Sequence, residues 1–291
     1  MDTVFRHYRD EDYEAVCSFL VALCRARPEH VNWNWARLEW MIEHPQFDKS
    51  AVASIGIWCC GDRVVGAAIY DMYFGEAFCG ALPGHEALYP EILEYAYREL
   101  KDDAGLGLAV CDSSEAEIRA VKAAGFSPAE QGETIMRLTL DRSFPAALPE
   151  GLRFTELDPD TQAVEYRWLL WRGFNHGEDR EAFERAETIV PHSSRHFDLR
   201  LSVAAEDGSG DKRAYCCLWY RPDTDYAYVE PVCTVPACRG RGAARAVIFE
   251  ALNRARALGA KKAYVISDMP FYEKLGFEKV YHYSFYWKKE A

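Results

Sequence analysis

Between residues 243 and 258 apolar side chains recur at helical spacing: Val247, Ile248, Ala251, Leu252, Ala255 and Leu258 fall on one stripe, and Gly259 follows. The pattern predicts an amphipathic helix that ends at the glycine. Upstream the period shortens, and R-A-Y-C-C-L-W-Y and D-Y-A-Y-V-E-P-V-C-T-V read as strands rich in aromatic and β-branched residues. Downstream, A-Y-V-I-S reads as a further strand and F-Y-E-K-L-G-F as a short helix closed by Gly-Phe. The first half runs through the same order. There S-I-G-I-W-C-C and V-V-G-A-A-I-Y lead through Pro83 to P-E-I-L-E-Y-A-Y-R-E-L, then to G-L-G-L-A-V and V-K-A-A-G-F.

The spacing makes the comparison quantitative: Pro83 to Gly125 spans 42 residues and Pro236 to Gly276 spans 40. This predicts a duplicated unit. Asp141–Gly151, D-R-S-F-P-A-A-L-P-E-G, interrupts the periodic sequence with two prolines and small residues, as a linker does. The expected division is therefore residues 1–141, a linker at 142–151, and residues 152–291. Each unit reads as α+β, with a mixed, mostly antiparallel twisted sheet flanked by helices.

Charge alters this picture by separating the halves. The net charge is −12, yet residues 1–150 hold 13 Lys and Arg against 25 Asp and Glu, while residues 151–291 hold 21 against 21. No basic footprint for nucleic acid exists, and an acidic surface fits a cationic small molecule or a basic peptide. No run approaches the roughly 20 apolar residues of a membrane span, and M-D-T-V-F-R-H-Y-R-D lacks a signal peptide's apolar core, so a cytoplasmic protein, monomer or homodimer, is expected. The ten cysteines sit in apolar segments without metal-ligand spacing, and the histidines form no cluster, so no metal is expected. A catalytic thiol at Cys233 or Cys238 stands as the alternative to buried filler.

Arginine and glycine concentrate at one point, V-P-A-C-R-G-R-G-A-A-R, Val235–Arg245, where the amphipathic helix begins. The first helical turn leaves N–H groups without carbonyl partners, which suits an anion. Gly240 and Gly242 remove the Cβ atoms that hold a ligand away, Ala243 and Ala244 keep the entrance narrow, and Arg239, Arg241 and Arg245 add positive charge. A pyrophosphate fits this description. A Walker loop is excluded because no Gly-Lys-Ser/Thr follows, and a Rossmann fingerprint lacks its third glycine, Arg245 standing there. A strand-to-helix turn with solvated arginines is the other reading.

R-G-R-G-A-A, Arg239–Ala244, resembles the R/Q-x-x-G-x-G/A signature of GNAT (GCN5-related N-acetyltransferase) enzymes. Thr234–Pro236 matches the V-P that precedes it, and Tyr272–Phe277 matches Y-E-K-x-G-F. The resemblance covers residues 152–291 and, in worn form, 1–141, as in tandem GNAT proteins with one degenerate and one intact domain. It implies acetyl-CoA as co-substrate, held by Arg239–Arg245, by backbone groups of Cys233, Thr234 and Val235, and by Ser267. In the first unit the corresponding Gly80–Pro90 has no R-x-x-G-x-G, so no acetyl-CoA is expected there.

The same resemblance implies direct attack of a primary amine, from a small molecule or peptide, on the thioester within a ternary complex. Glu230 is expected as the base, or else a strand-end carboxylate paired with an arginine. Tyr272 is expected as the acid that protonates the departing thiolate, or else as core. Asn175, His176 and Glu178 lie where the acceptor-side loop of such enzymes lies, and a helix end with a solvated loop explains them equally. Two other classes stay open: a non-catalytic acyl-CoA-binding or regulatory module, and an acyltransferase with a different donor.

Overall fold

Alternating apolar runs and amphipathic stretches become two compact units in the computed structural model, which describes residues 3–44, 47–186, 189 and 194–290. One unit comprises Met1–Met136, Ile266–Asp268 and Lys279–Ala291, and the other Arg137–Val265 and Met269–Glu278.

The first unit begins with β1 (Val4–His7), α1 (Tyr13–Ala26) and α2 (Trp35–Glu43), followed by the meander β2 (Gly56–Cys60), β3 (Arg63–Asp71) and β4 (Tyr73–Ala81). V-V-G-A-A-I-Y in β3 is buried at every position because α1 and α3 (Tyr89–Glu99) both pack on it, and strands covered on two faces lose the polar alternation of surface strands. A parallel strand β5 (Leu106–Cys111), α4 (Glu115–Ala123) and β6 (Ser127–Thr139) complete this repeat.

The second repeat runs in the same order. It contains β7 (Leu152–Glu156), α5 (Ala163–Gly173), α6 (Arg180–Ala186), β8 (Ser202–Asp207), β9 (Lys212–Tyr220), β10 (Tyr226–Thr234), α7 (Ala243–Leu258), β11 (Lys262–Ile266), α8 (Pro270–Leu275) and β12 (Glu278–Lys288). Within the second unit β7, β8, β9 and β10 are successively antiparallel, and β11 joins β10 in parallel. The stripe on α7 is buried as expected from Val247 through Ala255, and Gly259 closes the helix with its N–H on the carbonyls of Ala255 and Arg256.

The boundaries differ from the expected ones in two ways. Residues 142–151 contain no regular element, yet they are docked: Asn253 of α7 accepts from the Phe144 N–H at 2.8 Å and donates to its carbonyl at 2.9 Å, and the Phe144 ring is buried against Phe249. The units divide at Met136 instead. The larger difference is β12, which groups with the first unit although it is the last strand of the second repeat. It pairs antiparallel with β5, from Tyr283 opposite Cys111 to Lys288 opposite Leu106, and the Tyr283 hydroxyl donates to the Glu29 carbonyl. Without it β5 would present an unpaired edge.

Candidate active site

The site is built where β10 and β11 part. They pair only through Tyr226–Lys262, Ala227–Ala263 and Tyr228–Tyr264, so β10 continues from Val229 to Thr234 without that neighbour. On its other side β10 carries a bulge: Val229 opposes Leu218 and Val232 opposes Cys216, three steps against two. Glu230 and Pro231 occupy the bulge. Pro231 has no N–H for the ladder, and the Glu230 carbonyl instead accepts from the Trp219 indole at 2.7 Å.

This register decides which amides are available. The Val235 N–H donates to the Arg213 carbonyl at 2.9 Å, and alternation along the strand turns Cys233 the same way, toward β9. The expectation that Cys233 and Val235 offer their amides to a ligand is thus corrected. Thr234 and Val232 turn theirs to the edge that β11 leaves open. Val232 was missed because only the bulge register reveals it. The Thr234 hydroxyl is also buried without a hydrogen-bond partner.

At the end of β10 the chain makes a single 3-10 turn, Pro236–Cys238, and then two left-handed glycines, Gly240 at φ 71° and Gly242 at φ 94°. A Cβ on Gly240 would meet nothing within 4 Å, and one on Gly242 only the tip of Arg245 at 4.0 Å. Both positions demand glycine for the backbone and leave the space in front of it clear. The first i→i−4 bond of α7 runs from the Ala246 N–H to the Gly242 carbonyl, so the N–H groups of Ala243, Ala244 and Arg245 lie ahead of the helical ladder. Arg241 and Arg245 are exposed and form no ion pair among the described residues. Arg239 departs from expectation: its Nε donates to the Thr234 carbonyl at 3.0 Å and its Nη2 to the Gly173 carbonyl at 2.8 Å. Its guanidinium holds the protein together here.

Tyr272 is buried on α8, between the rings of Phe271 and Phe277. Burial first, then the negative character of Cys216 and Glu230, push its hydroxyl well above the usual tyrosine range, so it holds its proton. The Glu230 carboxylate is also felt by Tyr166 and Cys217, which places acid and base candidates in one electrostatic neighbourhood. Burial pushes the Cys233 thiol up to about 12, which removes it as a nucleophile near neutral pH. No group of three His, Cys, Asp or Glu among the described residues is placed to hold a metal ion, and no described helix is long and apolar enough to cross a membrane.

Residues 163–277, which span this opening and turn, match the sequence profile of the Acetyltransferase (GNAT) family. They form a GNAT domain. Solved structures extend the fold likeness to the whole chain. A tandem GNAT protein from the clavulanic acid biosynthesis pathway superposes with a TM-score of 0.63 at 18% identity, over 99% of this chain and 98% of that one. A GCN5-related N-acetyltransferase from Sphaerobacter thermophilus gives 0.60 at 17%, over 99% and 95%. Saccharomyces cerevisiae N-myristoyltransferase with bound myristoyl-CoA gives 0.57 at 11%, over 100% and 80%. No match is found among curated protein sequences. The chain has the fold of a tandem GNAT protein.

The expected acceptor-side residues of the GNAT domain lie at the end of α5. Phe174, Asn175 and His176 return their N–H groups to the carbonyls of Leu170, Arg172 and Trp171, and Asn175 takes the left-handed conformation at φ 69° that a helix end favours. The His176 ring lies 4.8 Å from that of Trp171. Glu178 is exposed, 3.9 Å from the buried Arg172. Arg172 in turn grips Asp211 with both Nη atoms and donates to the Lys212 carbonyl. Asn175 and His176 therefore close a helix, whatever else they touch. Ser267 belongs by its contacts to the first unit, where its amide donates to the Thr134 carbonyl at 2.8 Å.

Proposed function

We propose that the GNAT domain transfers an acetyl group from acetyl-CoA to a primary amine of a small molecule or peptide by direct attack in a ternary complex. The observation that carries this reading is the nearness in sequence of two sets of amides: those of Ala243 to Arg245, ahead of the first bond of α7, and those of Val232 and Thr234 on the edge of β10 that β11 leaves open. The first set suits the pyrophosphate of the donor and the second its acyl end.

The chemistry follows from the groups at hand. An ammonium with a pKa near ~10.4 gives its proton to Glu230, directly or through a water. The freed nitrogen lone pair attacks the thioester carbon, and an amide of the open edge stabilises the oxyanion. The adduct nitrogen loses its remaining extra proton to water as the C–S bond breaks, and the thiolate, of conjugate-acid pKa near ~8.5, takes the proton of Tyr272, which is replaced from solvent. Products are an amide and free coenzyme A.

Thermal shift with acetyl-CoA, followed by free-thiol release with a panel of primary amines, tests the proposal. Stabilisation and amine-dependent release are expected. Stabilisation without release for any amine would leave a non-catalytic acyl-CoA-binding module, and release only from a longer-chain thioester would change the donor. Absence of stabilisation would remove the reading altogether.

A further inference from the structure

We infer that Arg239 is a positioning residue that ties the donor-binding turn to the acceptor-side loop, so that filling the turn orders residues 174–176. The inference rests on the proposed function. Its geometric basis is that the Arg239 side chain bridges the ends of two elements: Thr234 closes β10 and Gly173 closes α5, and each gives its carbonyl to a different nitrogen of the one guanidinium. A carbonyl at a helix C-terminus lacks an intrahelical donor and carries partial negative charge, so a cation is the right partner for Gly173.

Gly173 makes the span short enough. A Cβ there would lie 2.6 Å from both Cβ and Sγ of Cys233, so only glycine lets α5 approach β10 at this level. On its other flank the helix end is anchored by Arg172, with its bidentate grip on Asp211. The loop that starts at Phe174 therefore departs from a point fixed on one side by Arg172 and on the other by Arg239.

The backbone of Arg239 leads directly into Gly240 and Gly242, whose amides belong to the proposed donor-binding turn. When a ligand settles those amides, the position of the Arg239 fork is settled too, and with it the Gly173 carbonyl. A planar guanidinium suits this task because its two donors keep a fixed separation, whereas a lysine ammonium reaches one carbonyl at a time. Acyl transfer needs reacting atoms brought to about 3–3.5 Å, and a rigid tie between the two sides limits the misplacement that would lower its rate.

Acetyl-CoA is the probe, and amide hydrogen exchange of Phe174, Asn175 and His176 is the readout. In the parent protein acetyl-CoA should slow these amides by about tenfold or more. In Arg239→Met that protection should vanish while the Kd for acetyl-CoA changes less than about threefold, a loss of coupling without loss of binding. Arg239→Lys should keep part of the protection, and it carries the test if the methionine variant fails to fold. A more than tenfold loss of acetyl-CoA affinity in either variant would make Arg239 a ligand contact and overturn the inference. Equal protection in parent and variants would overturn it as well. A parent that binds acetyl-CoA without protecting 174–176 refutes the tie alone, whereas a parent that does not bind acetyl-CoA refutes the proposed function and the tie together.

Discussion

The turns after β4 and after β10 occupy the same place in two copies of one architecture, and they differ in the charged side chains set beside them. In the second copy a Cβ on Gly240 would meet nothing within 4 Å, one on Gly242 would meet only the tip of Arg245, and Arg241 and Arg245 are both exposed. In the first, Gly84 at φ 87° donates its N–H to the Glu86 carboxylate at 2.9 Å. The amides of Glu86 itself and of Gly84 hold that carboxyl below the usual range. The chain supplies its own anion there. The openings differ in the same sense: β4 and β5 pair only through Glu76–Gly107 and Ala77–Leu108 before parting, but Phe78, Tyr89, His30 and Tyr283 crowd around the gap and leave a cavity of about 10 Å³. That is room for one water at most. The first turn is thus filled from within while the fold around it stays intact.

Changes that erase this contrast should have the largest effects. Gly242→Glu places a carboxylate where the first unit has Glu86, and it should raise the Kd for acetyl-CoA at least about 100-fold by calorimetry, equivalent to roughly 2.7 kcal/mol. Undiminished binding would mean that the open turn is not the donor site. Tyr272→Phe comes next: kcat should fall about 10- to 100-fold with the KM for acetyl-CoA within about twofold, since the proton is needed only as sulfur leaves. An equal loss in KM would assign Tyr272 to packing.

The pH profile should show a smaller but distinctive signature. Because burial raises the Tyr272 pKa, the proton-bearing form persists as pH rises, and the rate with a saturating amine should show no alkaline decline up to about pH 10, where an unperturbed tyrosine would already be half ionised. A decline near pH 9 would contradict the acid role. Least in size, Glu86→Ala should destabilise the first unit by about 1 kcal/mol in a urea melt, by removing the acceptor of its turn amides, and should create no acetyl-CoA binding, because Gly80–Pro90 contains no arginine. A gain of affinity on that change would show that self-occupancy alone silenced the first site.

Local pattern carried much of this. The duplicated order of elements, α7 with its glycine stop and the Arg-Gly turn each follow from periodicity and conformational preference within a few residues, and all three stand in the structure. Arg239, Val232 and β12 followed another logic. A guanidinium beside the expected anion site reads as a ligand until Gly173, 66 positions earlier, is seen to accept from it. Val232 is singled out by the bulge opposite Cys216, a matter of register between strands. For β12, E-K-V-Y-H-Y-S-F-Y-W-K declares a strand but not its neighbour, since many edges accept the same alternation.

The placement of β12 also bears on how the chain comes to be folded. Domains ordinarily close one after another during synthesis, N-terminal first. Here the partner of Leu106–Cys111 is made more than a hundred and fifty residues later, so the sheet of the first unit waits with an open edge until residues 283–288 leave the ribosome. The amino-terminal half is then the last to be finished, and a fragment cut at the linker yields a sheet in search of a strand.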